Sequence, residues 1–304
     1  MTDAPYQRVA LIGLGLIAGS VAHAIRRAGW ATETVGHARS AETRAVASEI
    51  GLVDSVAETA AEAVRDADLV VLAVPVGAME AVAREIAPAL KPGATVTDVG
   101  SVKRSVIDAV APHLPDGVHF VPGHPLAGTE HSGPRSGFAS LFDNRWCLLI
   151  EGAEEAAIER LERFWQGLGA RTGRMDADHH DLVLAVTSHA PHLIAYTMVG
   201  VADDLRRVTD SEVIEYSAAG FRDFTRIAAS DPTMWRDVFL ANKDATLEIL
   251  GRFTEELFAL QRAIRTGDGE MLHDYFTRTR AIRRGIIDAG QDTAAPDFGR
   301  GGTR

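Results

Sequence analysis

The stretch from Val9 to Ser20, V-A-L-I-G-L-G-L-I-A-G-S, constrains this chain more than any other. A run so apolar suits a membrane span, a secretory leader or a turn that holds a phosphate, and each demands a different fold. A spanning helix needs about 20 consecutive apolar residues, whereas this run is cut by Gly13, Gly15 and Gly19 and closed by Arg26-Arg27. A leader needs a charged segment before it and a small-residue cleavage site after it; here T-D-A-P-Y-Q precedes and H-A-I-R-R follows. A strand–turn–helix fits every position. Arg8 to Ile12 reads as a short buried strand, Gly13-x-Gly15-x-x-Ala18 follows at once, and Ser20 to Ala28 reads as helix. Gly13 permits the tight turn, Gly15 lets the backbone approach a pyrophosphate, and small Ala18 lets helix and strand pack closely. Amides at the helix N-terminus then hold the anion. Gly13, Gly15, Leu16 and Ile17 are thus candidate dinucleotide contacts.

The pattern downstream supports this. Thr34–Gly36, Asp68–Pro75, Ala94–Val99, His119–Pro122 and Trp146–Ile150 read as strands, separated by helical stretches at Ser40–Ile50, Ala78–Leu90 and Lys103–His113. A helix from Glu154 to Leu168 follows the last of these strands. Such alternation predicts an α/β fold, a doubly wound Rossmann-type domain with a parallel sheet covered on both faces. Past Asp176 the strand signals stop, and helical periodicity runs through 177–202, 204–219, 232–265 and 268–288. The expected organisation is a dinucleotide-binding domain over 1–175, an all-helical substrate and dimerisation domain over 176–290, and a loose tail over 291–304. Val183, Leu184, Ile194 and Met198 lie on more than one helical face. That distribution suits either a homodimer through the helical domain or a thick intrachain core.

Composition narrows the partners. A formal charge of −11 argues against nucleic acid and anionic membranes, so a small-molecule substrate is expected, and an acidic one would need a local basic pocket. The single cysteine, Cys147 in R-W-C-L-L-I, excludes an intrachain disulfide, fits a reducing cytoplasm and reads as a buried strand residue. The histidines are scattered without metal-ligand spacing, so no metal is expected.

In doubly wound sheets ligands lie beyond the carboxyl ends of the strands. Those ends here are Gly13 and Gly15, His37 to Ser40, Val74-Pro75, Gly100-Ser101 and Gly123-His124. In the helical half, T-S-H-A-P-H-L places His189 and His192 on one helical face, and F-R-D-F-T-R-I-A spaces Asp223 and Arg226 likewise. Each has a plainer reading: Asp223 with Arg226 as an intrahelical ion pair, Asn242-Lys243 as a solvated face, and His179-His180 as a helix start.

Together these stretches resemble the prephenate/arogenate (cyclohexadienyl) dehydrogenases of tyrosine biosynthesis. The resemblance runs from Val9 to about Leu250, through G-L-G-L-I-A-G-S, D-V-G-S-V-K, G-H-P-L-A-G-T-E, T-S-H-A-P-H, R-D-F-T-R-I-A and M-W-R-D-V-F-L-A-N-K in that order. It implies hydride transfer from a cyclohexadienol ring carbon to NAD(P)+ with loss of carbon dioxide. It further implies His124 on the ring hydroxyl with Ser101 beside it as the catalytic pair, and Arg226 on a substrate carboxylate. His189, His192 and Ser188 would line the pocket, with Thr129 and Glu130 near the substrate side chain. Two departures stand out. NAD enzymes carry an acid about 20 residues past the glycine turn, but V-G-H-A-R-S has none and offers Arg39 and Ser40 to a 2′-phosphate. The length also leaves no room for a fused mutase or regulatory module. Rival readings are a hydroxyacid dehydrogenase with Lys243 as its catalytic lysine, and a non-catalytic dinucleotide sensor.

Overall fold

The computed structural model describes residues 4–30, 32–129, 131–206 and 216–288. Glu130, part of the helical stretch expected over 204–219, and the tail 291–304 lie outside the described residues. Strand β1 (Arg8–Ile12) sits at the centre of a six-stranded parallel sheet. It pairs with β2 (Glu33–His37) on one side and β4 (Leu69–Leu72) on the other, Ile12 lying opposite His37 and Leu72. With β3 (Ser55–Val56), β5 (Thr95–Asp98) and β6 (His119–Phe120), the order is β3-β2-β1-β4-β5-β6. The central strands are buried on both faces, which explains why V-A-L-I and L-V-V-L run without polar alternation. One face packs Leu11, Ile25, Phe142, Phe164 and Trp165, the other Ile12, Val70, Leu72, Met79 and Val106.

The covering helices are α1 (Leu16–Arg27), α2 (Ala41–Glu49), α3 (Ala60–Val64), α4 (Met79–Ile86) and α5 (Arg104–Val110). The sequence reading passed over β3 and α3. A strand of two residues carries no periodicity, and α3, five residues long, is held by a capping box in which Thr59 and Glu62 satisfy each other's backbone amides.

The strand expected over His119–Pro122 is corrected. β6 ends at Phe120, and β7 (Gly123–Pro125) leaves the parallel sheet for a second, three-stranded one. There β7 pairs antiparallel with β8 (Trp146–Ile150), His124 facing Leu148, and β8 pairs parallel with β9 (Arg171–Met175). Helix α6 (Glu155–Gly167) joins β8 to β9. Pro122 has no N–H to donate to a ladder, so the chain changes sheets there. His124 therefore lies within a strand of the smaller sheet, not beyond the end of a parallel strand.

After Asp176, which caps α7 (Ala177–Leu184), a π turn over Ala185–His189 leads into α8 (Ala190–Arg206). Then come α9 (Ala219–Thr225), a 3₁₀ turn over Arg226–Ala229, α10 (Pro232–Ala241), α11 (Lys243–Thr266) and α12 (Gly269–Asp288). The helix expected over 177–202 is thus interrupted by one wide turn. The stretch 177–204 is long and apolar enough to cross a bilayer by length and composition, but its His180, Asp181 and His189 are buried in hydrogen bonds. Of the apolar residues read onto several faces, Leu184 is 3% exposed and Met198 41%.

The chain forms two compact units, residues 1–246 and 247–304. The second comprises most of α11 with α12, and it exposes Leu247, Leu257, Phe258, Ile264, Phe276 and Ile282.

Candidate active site

At the glycine turn the backbone does most of the work. Gly13 has φ +97°, and a Cβ there would meet the carbonyl oxygen of Ala73 at 2.4 Å, so no side chain fits. Gly15 caps α1 and has nothing within 4 Å of where its Cβ would stand. The space above it is open, and the first turn of α1 holds no acid to repel an anion. Leu16 and Ile17 form that turn, half-buried. Beyond β4, Val74 is half-buried and Pro75 starts a 3₁₀ turn. This cradle fits a dinucleotide pyrophosphate.

Past β2, the Ser40 hydroxyl accepts the Thr43 amide at 3.3 Å and so caps α2. Arg39 is exposed, while Arg44 Nη1 donates to the carbonyls of Ala38 and Arg39 at 2.9 and 3.1 Å and pairs with Glu58. Ala38 stands at the strand end where an NAD enzyme presents a carboxylate, and the side chains around it offer two guanidinium groups.

The second half of the site is built from buried side chains. His124 on β7 is 8% exposed, and its Nδ1 lies 2.9 Å from Nε2 of His180 on α7. His180 Nδ1 lies 2.8 Å from Oδ1 of Asp181. A carboxylate only accepts, so His180 donates from Nδ1 and accepts at Nε2; His124 then donates from Nδ1 and keeps its Nε2 lone pair for a substrate. Asp181 also accepts the backbone amides of Lys103 at 2.7 Å and Arg104 at 2.9 Å. Burial opposes its charge, but the bonds from His180, Arg104 and Lys103 hold its carboxyl below the usual range. Burial, together with the neighbouring His180, Lys103 and His189, pushes the His124 imidazole well below the ordinary histidine range, so it is neutral.

His189, in the π turn, is fully buried; Asn242 Nδ2 donates to its Nδ1 at 3.0 Å and to the Asp181 carbonyl at 2.8 Å. Its proton is thus on Nε2, which has no partner in good hydrogen-bond geometry although the Ser101 backbone lies near enough to favour the charged form. Burial outweighs that, and His189 is pushed down to about 4. His192 stacks on Trp235 with ring centres 3.7 Å apart and bonds the Ser188 carbonyl through Nδ1 at 2.8 Å. Burial, and then the charge of Arg226, lowers its proton affinity.

The structure therefore brings His124, His189 and the Ser101 turn together, with Ser188 beside His189 in the π turn and His192 about one helical turn on. Arg226 opens the 3₁₀ turn after α9, exposed but close enough to act on His192. Thr129 is exposed, its hydroxyl accepting the His131 amide at 3.2 Å. One plainer reading holds and the other is corrected in part. His180 does begin a helix, but it is fully buried against His124, and Asn242 is 6% exposed, not solvated. Lys243 is a surface residue whose side chain is 65% exposed. The sequence reading also missed Lys103 and Asp98, both with fully buried side chains; the D-V-G-S-V-K motif contains them, yet nothing in it says their side chains turn inward. Among the described residues no cluster of histidine, cysteine and carboxylates could hold a metal.

The family models matching the chain are the prephenate dehydrogenase nucleotide-binding domain, over residues 21–173, and the prephenate dehydrogenase dimerization domain, over 176–278. A cyclohexadienyl dehydrogenase of Zymomonas mobilis is 41% identical over 280 residues, spanning 91% of this chain and 95% of its own length. A prephenate dehydrogenase of Bacillus subtilis is 34% identical, spanning 95% of this chain and 78% of its own. The crystal structure of prephenate dehydrogenase from Aquifex aeolicus, in complex with hydroxyphenyl propionate and NAD+, superposes with a TM-score of 0.84 at 31% identity, covering 92% of this chain and 98% of the other.

Proposed function

The chain belongs to the prephenate dehydrogenase family and is an NAD(P)-dependent oxidoreductase of tyrosine biosynthesis; on that premise we propose how its residues divide the work. Residues 1–175 hold the dinucleotide through Gly13, Gly15, Leu16, Ile17, Val74, Pro75 and Ser101, and residues 176–290 supply the substrate side. A bound nicotinamide supplies the hydride acceptor. His124 is the base: its Nε2 takes the ring hydroxyl's proton as the carbonyl forms, a task suited to a neutral imidazole. The imidazolium created is stabilised through Nδ1 by His180 and Asp181, which is the observation that carries this assignment.

The proton balance closes on the same residue. When carbon dioxide leaves, the electron pair of the broken C–C bond aromatises the ring, and the ring oxygen regains a proton as it becomes a phenol. His124 therefore holds the proton between the two steps and returns it. Arg226 grips the carboxylate that stays, because a planar guanidinium binds both oxygens. Ser188, His189, His192, Thr129 and Glu130 complete the surroundings of the substrate. At the β2 end, Arg39 and Ser40 accept a 2′-phosphate, so NADP is used as well as NAD. The exposed apolar side chains of α11 and α12 are covered in a homodimer, as the dimerization-domain match supports.

The test supplies prephenate and arogenate separately, each with NAD and with NADP, and follows the absorbance of the reduced nicotinamide. Turnover of at least one cyclohexadienol is expected, and its loss in His124→Asn supports the base. A His124→Asn enzyme with most of its kcat would move that role to another residue.

A further inference from the structure

Where the two sheets meet, one buried ion pair touches the backbone on both sides of the reaction centre. The Asp98 side chain, which ends β5, accepts the Gly100 amide through Oδ2 at 2.7 Å and the Gly123 amide through Oδ1 at 3.3 Å. Lys103 Nζ donates to Asp98 Oδ2 and to the Gly123 carbonyl, the latter at 2.7 Å. Both polar groups of Gly123, the residue before His124, are thus held by the pair. Gly100 precedes Ser101, so the same carboxylate fixes that turn. The backbone amide of Lys103 meanwhile donates to Asp181, the far end of the histidine chain. The approach is close: a Cβ on Gly100 would come within 3.0 Å of Asp98 Oδ2, and one on Gly123 within 3.1 Å of the Asp98 carbonyl.

We propose that Lys103 and Asp98 are positioning residues for the dehydrogenase reaction, fixing the Ser101 turn and the His124 strand at one separation. The proposal rests on the reading of His124 as base. Both side chains have no solvent exposure. Replacing a buried ion pair with apolar groups of similar size is often neutral or stabilising, so stability alone gives little reason for a charged pair here; geometry and charge at His124 do. The ionisable groups facing His124 are His180 and Asp181 on α7, His189 in the π turn, Lys103 and Asp98 at the β5 end, and Cys147 on β8. Of these, Lys103 brings a positive charge that disfavours a second one on the imidazole. Removing it should raise the pH at which His124 protonates.

The experiment compares Lys103→Met, the double variant Asp98→Asn/Lys103→Met and His124→Asn with the wild-type enzyme. It reads thermal melts, kcat against pH, and the His124 titration by ¹⁵N NMR without substrate. Lys103→Met leaves an unpaired buried carboxylate and is expected to melt early, whereas the double variant should fold. In that double variant kcat should fall tenfold to a hundredfold, the scale of sub-ångström misplacement. Its acid limb and the His124 titration should move up together, because Lys103 and not Asp98 is among the charges acting on the imidazole. Three results would overturn the proposal: a double variant that does not fold, one whose kcat stays within twofold of wild type, or one that loses activity with the His124 titration unmoved. Failure of the base reading is separate, since it would appear as a His124→Asn enzyme that keeps its kcat.

Discussion

The two halves of the site are made of different materials. At the glycine turn, the ligand surface is backbone: Gly13 with φ +97°, the open space over Gly15 and the amides of α1. Around His124 it is side chain, with His180, Asp181, Asn242 and His189 joined by buried hydrogen bonds. A backbone site tolerates almost any neighbour but no change at its glycines. A side-chain network tolerates backbone variation but depends on every partner, because a buried polar group left unpaired costs about 1–3 kcal/mol. Substitutions in the first half should therefore alter nucleotide binding, and those in the second should alter chemistry or substrate binding.

The largest effect should come from the network. His124→Asn keeps size and some hydrogen bonding but cannot hold a full proton, so kcat should fall by roughly 10²–10⁴-fold with the nucleotide Kd near wild type. Steady-state kinetics beside a nucleotide titration check this, and a nucleotide Kd that collapses with kcat would break the division. On the backbone side, Gly13→Ala forces a Cβ to 2.4 Å from a carbonyl oxygen at a positive φ. Strain of about 1–3 kcal/mol corresponds to nucleotide binding weaker by roughly five- to 150-fold. A melting curve separates this from unfolding, and an unchanged nucleotide KM would remove the turn from the cofactor site.

Arg226→Ala should raise the KM for prephenate at least tenfold, about what one charge-assisted contact supplies, with kcat lowered less because the carboxylate it grips does not change charge. Arg226→Lys should recover only part of this. If prephenate KM is unmoved in a folded Arg226→Ala enzyme, the residue belongs to the surface.

The pH profile sharpens the same division. As the proposed base His124 would act in its neutral form, and its pKa is lowered by burial and by His180, Lys103 and His189. Hence kcat/KM should stay level as pH falls through 6.5 and decline only well below it. A limb at the ordinary histidine value would show that the network does not tune this group. The smallest effect belongs to the exposed Arg39. Arg39→Asp should shift the NADP-to-NAD ratio of kcat/KM by up to about fivefold towards NAD, within the range of a solvent-screened charge. An unaltered ratio would leave Arg44 as the guanidinium to test.

The contrast also explains what was legible in the sequence. Gly13-x-Gly15-x-x-Ala18 spans six positions and works through local backbone shape, so its meaning is written contiguously. The contact between His124 and His180 joins residues 56 apart. In A-D-H-H-D the histidines look like an ordinary helix start, and the Asp176 cap shows that this reading was also correct. Lys103 was opaque for a similar reason. Two residues after Ser101 and just before a helix, a lysine would ordinarily face water, and only the meeting of two sheets encloses it. The strand ends and the three-residue helical spacings already singled out Ser101, His124, His189, His192 and Arg226, whereas the resemblance to a known family supplied their roles.

The π turn at Ala185–His189 carries a further consequence, which concerns phase. An α-helix advances about 100° per residue, and a π turn accommodates one residue beyond the regular winding. Everything in α8 is therefore rotated by about that angle relative to a continuous helix begun at α7. His189 faces Asn242 and His192 lies flat on Trp235 in this shifted phase. Deleting one residue from the turn would give a more regular helix and swing His192 off the indole by more than a quarter of a circle. The irregular winding works as an angular offset, letting one long apolar stretch present His180 to His124 before the turn and His192 to Trp235 beyond it.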